Sequence, residues 1–570
     1  MPAEGQSAPV VSQIEIKVNG TSLSNDIMDT LFEVEVESTL HLPSMFTMRF
    51  HDEKLSLVDG TTFPMGGAVV INVATQAPNQ TTQTLTKIMD GEITAIEPDF
   101  SDGFMATLTI RGYDKGHRLL RGTKTKAFVQ AKDSDIVSQI ASGAGLQAVT
   151  DVTTVVHEHV FQYNISDWAF VHERARRNGY EVWVEAGKLN FKKPATTRTE
   201  VPLQWGETLR SFRPHMTLAK QVEKVTVKGW NPKQKQAIVG VASTSSVAPQ
   251  VGIGNWGGPL AQAAFSAAQA LEVRRPVKTQ GEATAIAQSL LDESNASFLE
   301  AEGIAFGTPT IKAGVLVNLT KLGTKFSGKY MVTMARHIYN PEAGYDTHFV
   351  VQGARAQTVA DLVDGDDHTS LWGGIVVGLV TNVNDPDGMG RVKVKFPWLD
   401  DTLESNWARL SGIGAGANRG IFWLPEVNDE VLVAFEHGNF DSPYVVGAVW
   451  NGTDKPPEAM SDAVKSGKTE VRTFKTRLGH IIRLTDDASK KTIEIIGASN
   501  KTSIKLDEVN SKITITSQGD IELAATQKLT LKGAQVAIEG QSQVNVKSSG
   551  TGALEASGPL TVKGAVVNIN

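Results

Sequence analysis

The chain has 570 residues, 41% hydrophobic and 21% charged, with a formal net charge of −7 and no cysteine. This is the balance of a soluble folded chain of roughly four domain-sized units, and it excludes a chain-wide basic field for nucleic acid or an anionic membrane. The lack of cysteine excludes disulfides, thiolate zinc sites and cysteine nucleophiles.

The opening, MPAEGQSAPVV, has no basic n-region and no apolar h-region, so no secretory signal is expected. No apolar run approaches the ~20 residues of a membrane helix. Residues 13–115 read as β. QIEIKVNG and FEVEVEST alternate, KIMDGEITAIEP and ATLTIRGYD add strands, and Gly and Asp mark the turns between them. In KDSDIVSQIASGAG, Asp133 is placed to cap a helix whose face is Ile136, Val137 and Ile140. SDWAFVHERARRNGY repeats the design, with Ser166 or Asp167 as cap and Gly179 as stop. EVWVEAGKLNF predicts a hairpin about Ala186-Gly187. The Ala-rich stretch 255–303 reads as helical, broken at Pro276, and β character returns from about Gly303 to Gly353. A polar segment, VADLVDGDDHTS, closes this first part near residue 370.

Residues 371–455 form a compact β unit. GLVTNVNDPDGMGRVKVKFPWLDD supplies two strands about Asp385-Pro386-Asp387-Gly388, and Arg419 to Asn451 supplies two more, with turns at Asn428-Asp429 and Gly438-Asn439. Short strands punctuated in this way suit an OB-type barrel. It lacks the aromatic platform within a basic groove that single-stranded nucleic acid needs, so no nucleic acid partner is expected. Residues 456–470 read as a linker, because Pro456-Pro457 bars regular structure.

In the tail, 471–570, apolar pairs recur: Ile504/Leu506, Ile513/Ile515, Ile521/Leu523, Leu529/Leu531, Val536/Ile538, Val544/Val546, Leu560/Val562 and Val567/Ile569. Most steps are seven to nine residues, often with Gly between them. A short fixed period marks stacked β structure. One such coil is too small to close on itself. Three chains about a shared axis can close, each supplying one wall of a prism with an apolar interior. About twelve levels at ~4.8 Å each give a needle on the order of 55 Å. The expected fold is therefore mainly β: an α/β hub of β-barrel type, an OB-fold barrel, and an intertwined trimeric β-helix.

The order of these parts resembles VgrG, the spike protein of contractile injection systems, and its phage baseplate hub and central-spike relatives. The motifs that carry the resemblance are DPDGMGRVKVKFPW and PEVNDEVLVAFEHGNFDSPYVVGAVWN in the barrel. RGYDKGHRLLRGTKTKAF, FQYNISDWAFVHERARRNGYEVWVEAGKLNF and FSGKYMVTMARHIYNPEAGYDTHF in residues 1–370 support it. The resemblance implies a phage-hub-like domain, a homotrimer matching a hexameric inner tube and baseplate, and a needle driven through a target membrane by sheath contraction. It also implies a conical PAAR-type tip protein seated on Val566, Val567, Asn568, Ile569 and Asn570, and effector cargo. The segment from Ile14 to Phe50 looks more like spikes of extracellular phage-tail-like particles than like a type VI secretion VgrG. The implied location is synthesis in the cytoplasm, then assembly into a particle that is released or injected.

Sharper chemistry finds little support. GIGNWG, Gly252 to Gly257, matches a dinucleotide fingerprint, yet Ser246 to Gln250 rather than a clear strand precedes it. His157 and His159 share one side of a strand at a spacing that can hold a metal, without an evident third ligand. The same pair also reads as a polar strand surface. HERAR lacks the second histidine of a zinc helix, and Asp400, Asp401 and Glu404 read as a solvated loop rather than an acid–base pair. No G-x-S-x-G elbow occurs. The expectation is a structural part with no cofactor and no catalytic residue. A cell-wall hydrolase acting at the tip and a receptor-binding trimeric fibre are the competing readings; the first needs a catalytic domain, the second a globular head.

Overall fold

The computed structural model describes residues 12–40, 42–75, 84–101, 105–195, 197–247, 250–351 and 373–569. The opening segment and the polar segment near residue 370 lie outside these. The chain divides into two units, split between Asn451 and Gly452.

The first unit is built on an eleven-stranded sheet. Its order runs from Leu209–Met216 through Leu299–Phe306, Gly344–Val351 and Met334–Asn340 to Leu31–Thr39. It continues through Met45–His51, Met105–Asp114, Thr84–Ser101, Ala68–Thr75 and Ser12–Val18 to Thr21–Ser22. Alternation decides the faces. In Leu31–Thr39, Leu31, Val34 and Val36 are buried, while Glu33 pairs with Arg49 and Glu35 and Glu37 pair with Arg336. Two apolar cores form along the sheet. One gathers Ile16, Val34, Phe46, Val69, Ile93 and Leu108, and the other Val201, Leu209, Phe298, Leu319 and Phe349. They meet where Leu31–Thr39 pairs with Met334–Asn340.

A smaller α/β layer is inserted between them. Ser166 caps the helix Asp167–Asn178, its hydroxyl accepting from the Ala169 amide, and Gly179 ends it at φ +67°. The hairpin Glu181–Glu185/Lys188–Lys192 turns at Ala186-Gly187, both with positive φ. Asp133 behaves differently from expectation. It is the first residue of the helix Asp133–Gly143, and its carboxylate is taken up by the side chains of Arg174, His157 and Asn178 rather than by the helix amides.

The Ala-rich stretch is only partly helical. Helices Gly257–Phe265 and Gln280–Ala296 flank a strand, Gln269–Glu272, which pairs in parallel with Lys224–Asn231. Thr279 caps the second helix, while Glu282 reaches back to the Lys278 amide.

The barrel's five-stranded sheet has the order Lys393–Lys395, Val376–Asn382, Glu430–Phe435, Pro443–Ala448, Arg409–Leu410. Its tight turn is organised by Asp385. That carboxylate accepts from the Asp387, Met389 and Arg391 amides and from the Arg391 guanidinium. Burial pushes its pKa up, but these donors, Arg391 foremost, hold it well below the usual carboxylate range.

In the second unit, the stretch read as a linker holds one helical turn, Met460–Ala463, and a tight hairpin, Val464–Lys465/Lys468–Thr469. Pro456 and Pro457 stand outside any element. Five strands then follow: Val471–Lys475, Ile481–Asp487, Lys490–Ile496, Thr502–Asp507 and Lys512–Ser517. They pair in sequence order as an antiparallel meander within one chain. This start of the tail thus differs from the winding expected from residue 471. Tight turns such as Ser499-Asn500 and Asn510-Ser511, with Asn500 and Ser511 at positive φ, fold it back on itself. Among the described residues after Gln518, no strand pairs with its own chain.

Candidate assembly surfaces

The register of the meander builds a surface that no single strand reveals. Phe474, Ile482, Ile495, Ile504 and Ile515 lie directly opposite one another across the five strands. Arg472, Leu484, Ile493, Leu506 and Ile513 form a second row on the same face. These two rows are therefore apolar but for Arg472, with Asp486, Lys491, Thr502 and Ser517 at their margins. Seven of these side chains, Phe474, Ile482, Ile493, Ile495, Ile504, Ile513 and Ile515, are 38–69% exposed on the isolated chain. The opposite face carries Thr473, Arg483, Glu494, Lys505 and Thr514 in one row, with Arg483 ion-paired to Glu494 and Glu458. A sheet with one polar and one open apolar face is half of a sandwich or a prism.

The exposed apolar character continues beyond the meander. Ile521, Leu523, Leu529, Leu531, Val536, Ile538, Val544, Val546, Leu560 and Val562 are all exposed. Val566, Val567, Asn568 and Ile569 are exposed too, Ile569 at 91%, while Asn570 lies outside the described residues. The barrel adds a patch that the strand reading missed. Ile413, Ile421, Phe422 and Trp423 flank the small hairpin Ala415–Gly416/Arg419–Gly420, and Phe422 is 82% exposed. Its signal was the unbroken apolar run Ile421-Phe422-Trp423-Leu424, which a two-sided strand would not carry.

His157 and His159 both lie on the strand Val156–Ile165 but engage different partners. The Nε2 of His157 lies 3.1 Å from Asp133 and 3.0 Å from Arg174. Burial pushes the Asp133 carboxyl up, but Arg174 and His157 bring it well below its usual range. His159 donates through Nε2 to the Glu404 carbonyl at 3.0 Å, with its Nδ1 3.5 Å from the Asp441 carboxylate. The two imidazoles thus join two networks, one inside the α/β insertion and one reaching the barrel. Among the described residues, no cluster of three or more His, Asp or Glu side chains forms a metal-holding group.

The strand that carries these histidines also joins the barrel. Phe161 lies in the barrel's own core with Val394, Phe396 and Phe440. Its ring stacks on Phe440, as does that of Tyr163.

The other sequence candidates are structural. A two-residue strand, Gln250–Val251, does precede GIGNWG, and the helix Gly257–Phe265 follows it. Two of its three glycines, however, are filled from within, and only Gly254 is open. A Cβ on Gly252 would lie 1.7 Å from the Thr324 carbonyl oxygen, and one on Gly257 would strike the Gln221 side chain. No phosphate cradle is left. In HERAR, Glu173 has its pKa raised by burial. Asp400 accepts from the Thr402 and Leu403 amides of its own loop, and Glu404 pairs with Lys393. No described helix is long and apolar enough to cross a membrane.

Comparison with known proteins adds two family matches. The family described as the Alg8 N-terminal domain matches residues 8–340. The type VI secretion system/phage-baseplate injector OB domain matches residues 376–450. The type VI secretion system spike protein VgrG2a of Pseudomonas aeruginosa is 27% identical over 124 residues, 21% of this chain and 15% of that protein. VgrG3 of Vibrio cholerae is 36% identical over 91 residues, 15% of this chain and 9% of that one. The chain thus spans at most 15% of the length of these curated relatives. The Francisella PdpA-VgrG complex in its half-lidded form is similar in fold. Its TM-score is 0.53 at 9% identity, over 89% of this chain and 88% of the other.

Proposed function

We infer the role of this chain from its kind: it belongs to the Alg8 N-terminal domain family and is built on the plan of VgrG-type spikes. It is the homotrimeric hub-spike of a contractile injection system. In this reading residues 1–370 are the hub, which joins the hexameric inner tube and baseplate. Residues 371–455 are the OB barrel, 456–470 the connection, and 471–570 the puncturing needle. The end of the tail, with Val566, Val567, Asn568, Ile569 and Asn570, seats a conical PAAR-type tip protein. Contact with the target membrane is transient, and effectors travel as cargo. The role is mechanical rather than enzymatic.

One observation carries this reading. Downstream of an injector-type barrel, the chain presents a meander with an open apolar face, then a long alternating tail with no strand partner of its own. A β-strand with unpaired edges and exposed apolar residues requires neighbours. Three copies supply them with a closed symmetry that leaves strand edges only at the two ends of the prism. The segment Ile14 to Phe50 favours the extracellular-particle subtype by its resemblance.

The test is the mass of the full-length chain by light scattering after size exclusion. A trimer of about 184 kDa, three chains of 61.3 kDa, is expected. A stable folded monomer would remove the needle and with it this function.

A further inference from the structure

The apolar pairs of the tail explain why three chains associate, but not how they find one alignment. Leu529/Leu531, Val536/Ile538, Val544/Val546 and Leu560/Val562 are close to interchangeable in size and chemistry. A chain displaced by one repeat would bury nearly the same surface. Register is weakly specified in such a lattice unless something else fixes it.

Over the five repeats from Leu529 to Val562 the residue that follows the pair supplies that difference; the flanking pairs Ile521/Leu523 and Val567/Ile569 are followed by the uncharged Ala524 and Asn570. Positions one and three after the first apolar residue point away from the interior, because side chains alternate along a strand. At the third position successive repeats carry Lys532, Glu539, Lys547, Glu555 and Lys563, with Gly552/Leu554 as the pair before Glu555. The sign alternates at every step. All five are exposed, and no ion pair joins any of them to a described residue of its own chain. The first outward position shows no such alternation: Thr530, Ala537, Asn545, Ala553 and Thr561 are all uncharged.

Resting on the trimeric reading above, we propose that Lys532, Glu539, Lys547, Glu555 and Lys563 form an interchain charge ladder that sets the register of the needle. The occupant of this surface is a second copy of the chain. In a three-walled prism each repeat carries a chain to the next face and up by one strand spacing, about 4.8 Å. By threefold symmetry, the strand above any repeat is the next repeat of a neighbouring chain. Correct register therefore sets Lys against Glu along every face. Displacing one chain by a single repeat changes each neighbour relation by one step. Lys then meets Lys and Glu meets Glu, which directly opposed strands disfavour. The pattern both stabilises one alignment and penalises its nearest competitor.

The test uses the full-length chain and a variant in which every rung is exchanged: Lys532→Glu, Glu539→Lys, Lys547→Glu, Glu555→Lys and Lys563→Glu. The exchanged chain keeps perfect alternation and should form trimers alone, as the parent does. Parent and exchanged chains, differently tagged, are then unfolded together and refolded at low salt. Mixed trimers would place like charges on adjacent strands. Self-sorting into homotrimers is expected, with mixing restored near 1 M salt, where charge is screened within about 3 Å. Statistical mixing at low salt, with the mixed trimers cross-linked in level register through an introduced Asn568→Cys, would overturn the ladder and leave the trimer intact, whereas mixing only with the exchanged chain offset by one repeat would support it. A monomeric parent would overturn the trimer itself, and the ladder with it. A second variant, Glu539→Lys with Glu555→Lys, places lysine at all five positions. It should trimerise less than the parent at low salt, and trimerisation equal to the parent's would also count against the ladder.

Discussion

Phe161, from the strand Val156–Ile165 of the α/β insertion, stacks on Phe440 of the barrel with ring centroids 5.0 Å apart. The contact makes the barrel's core incomplete without that strand. Phe161 is 7% exposed and sits among Val394, Phe396 and Phe435 rather than among the residues of its own layer. A buried Phe→Ala change typically costs about 3–5 kcal/mol. Phe161→Ala should therefore destabilise the barrel more than the insertion. Calorimetry of the variant should resolve a barrel transition below the main one, and a single unshifted transition would refute the coupling.

Asp133 and Arg174 form a buried pair at 2.5 Å. Replacing one partner leaves a buried charge and costs about 3–5 kcal/mol. Arg174→Met should show this loss in urea titration at neutral pH. The pH dependence has a definite sign. The folded carboxyl is held below its ordinary value, so its contribution is complete above the ordinary aspartate pKa and fades as pH falls through the lower, folded one. The stability gap between parent and Asp133→Asn should accordingly narrow below about pH 4. A constant gap would show that Asp133 acts through shape alone.

Asp114 behaves in the opposite way. Its carboxylate accepts from the Ser44 and Gly116 amides, but burial dominates and raises its pKa to about 6. A carboxyl raised on folding stabilises fully below its unfolded pKa, and that contribution is lost as pH rises through about 6. Asp114→Asn has a single oxygen and can keep only one of these two bonds, so it starts less stable, but it should gain on the parent by about 3 kcal/mol between pH 4 and pH 7 as the parent's carboxyl ionises. Chemical denaturation at the two pH values measures it, and equal differences at both would contradict the assignment.

Ile495 occupies the centre of the open meander face, opposite Ile482 and Ile504. Ile495→Asp would place three carboxylates near one axis in the proposed trimer while leaving the isolated meander solvated. Uncompensated burial of charge costs several kcal/mol per group. The variant should lose trimer mass in light scattering while keeping its β-rich circular dichroism. Full retention of the trimer would mean that this face is turned outward.

Local signals were readable in the sequence. Ser166 and Gly179 bound a helix as their side chain and its absence require, and Ala186-Gly187 turns a hairpin. Signals that depend on distant partners were not. Asp133 looked like a cap, but Arg174, 41 residues away, claims its carboxylate. Gln269–Glu272 lies in an Ala-rich stretch and becomes a strand only because Lys224–Asn231 offers it an edge. His157 and His159 share a side of one strand, yet neighbours from separate layers divide them. The alternation from Ile504 onward was plain, but the meander needed the register of five strands before Phe474, Ile482 and Ile493 could be seen to share its face.

From Ile521 onward the described chain forms no ladder with itself. This separates two clocks within one polypeptide. The strand ladders before Ile521, those of the meander included, close within one chain, so their pairing is first order and indifferent to dilution. In the proposed trimer the stretch beyond has to wait for an encounter, and an encounter slows as copies become scarce. During that wait it is the segment most open to proteases and to the wrong strand. Scarcity of copies, rather than heat, is then the first condition under which production of this protein should falter.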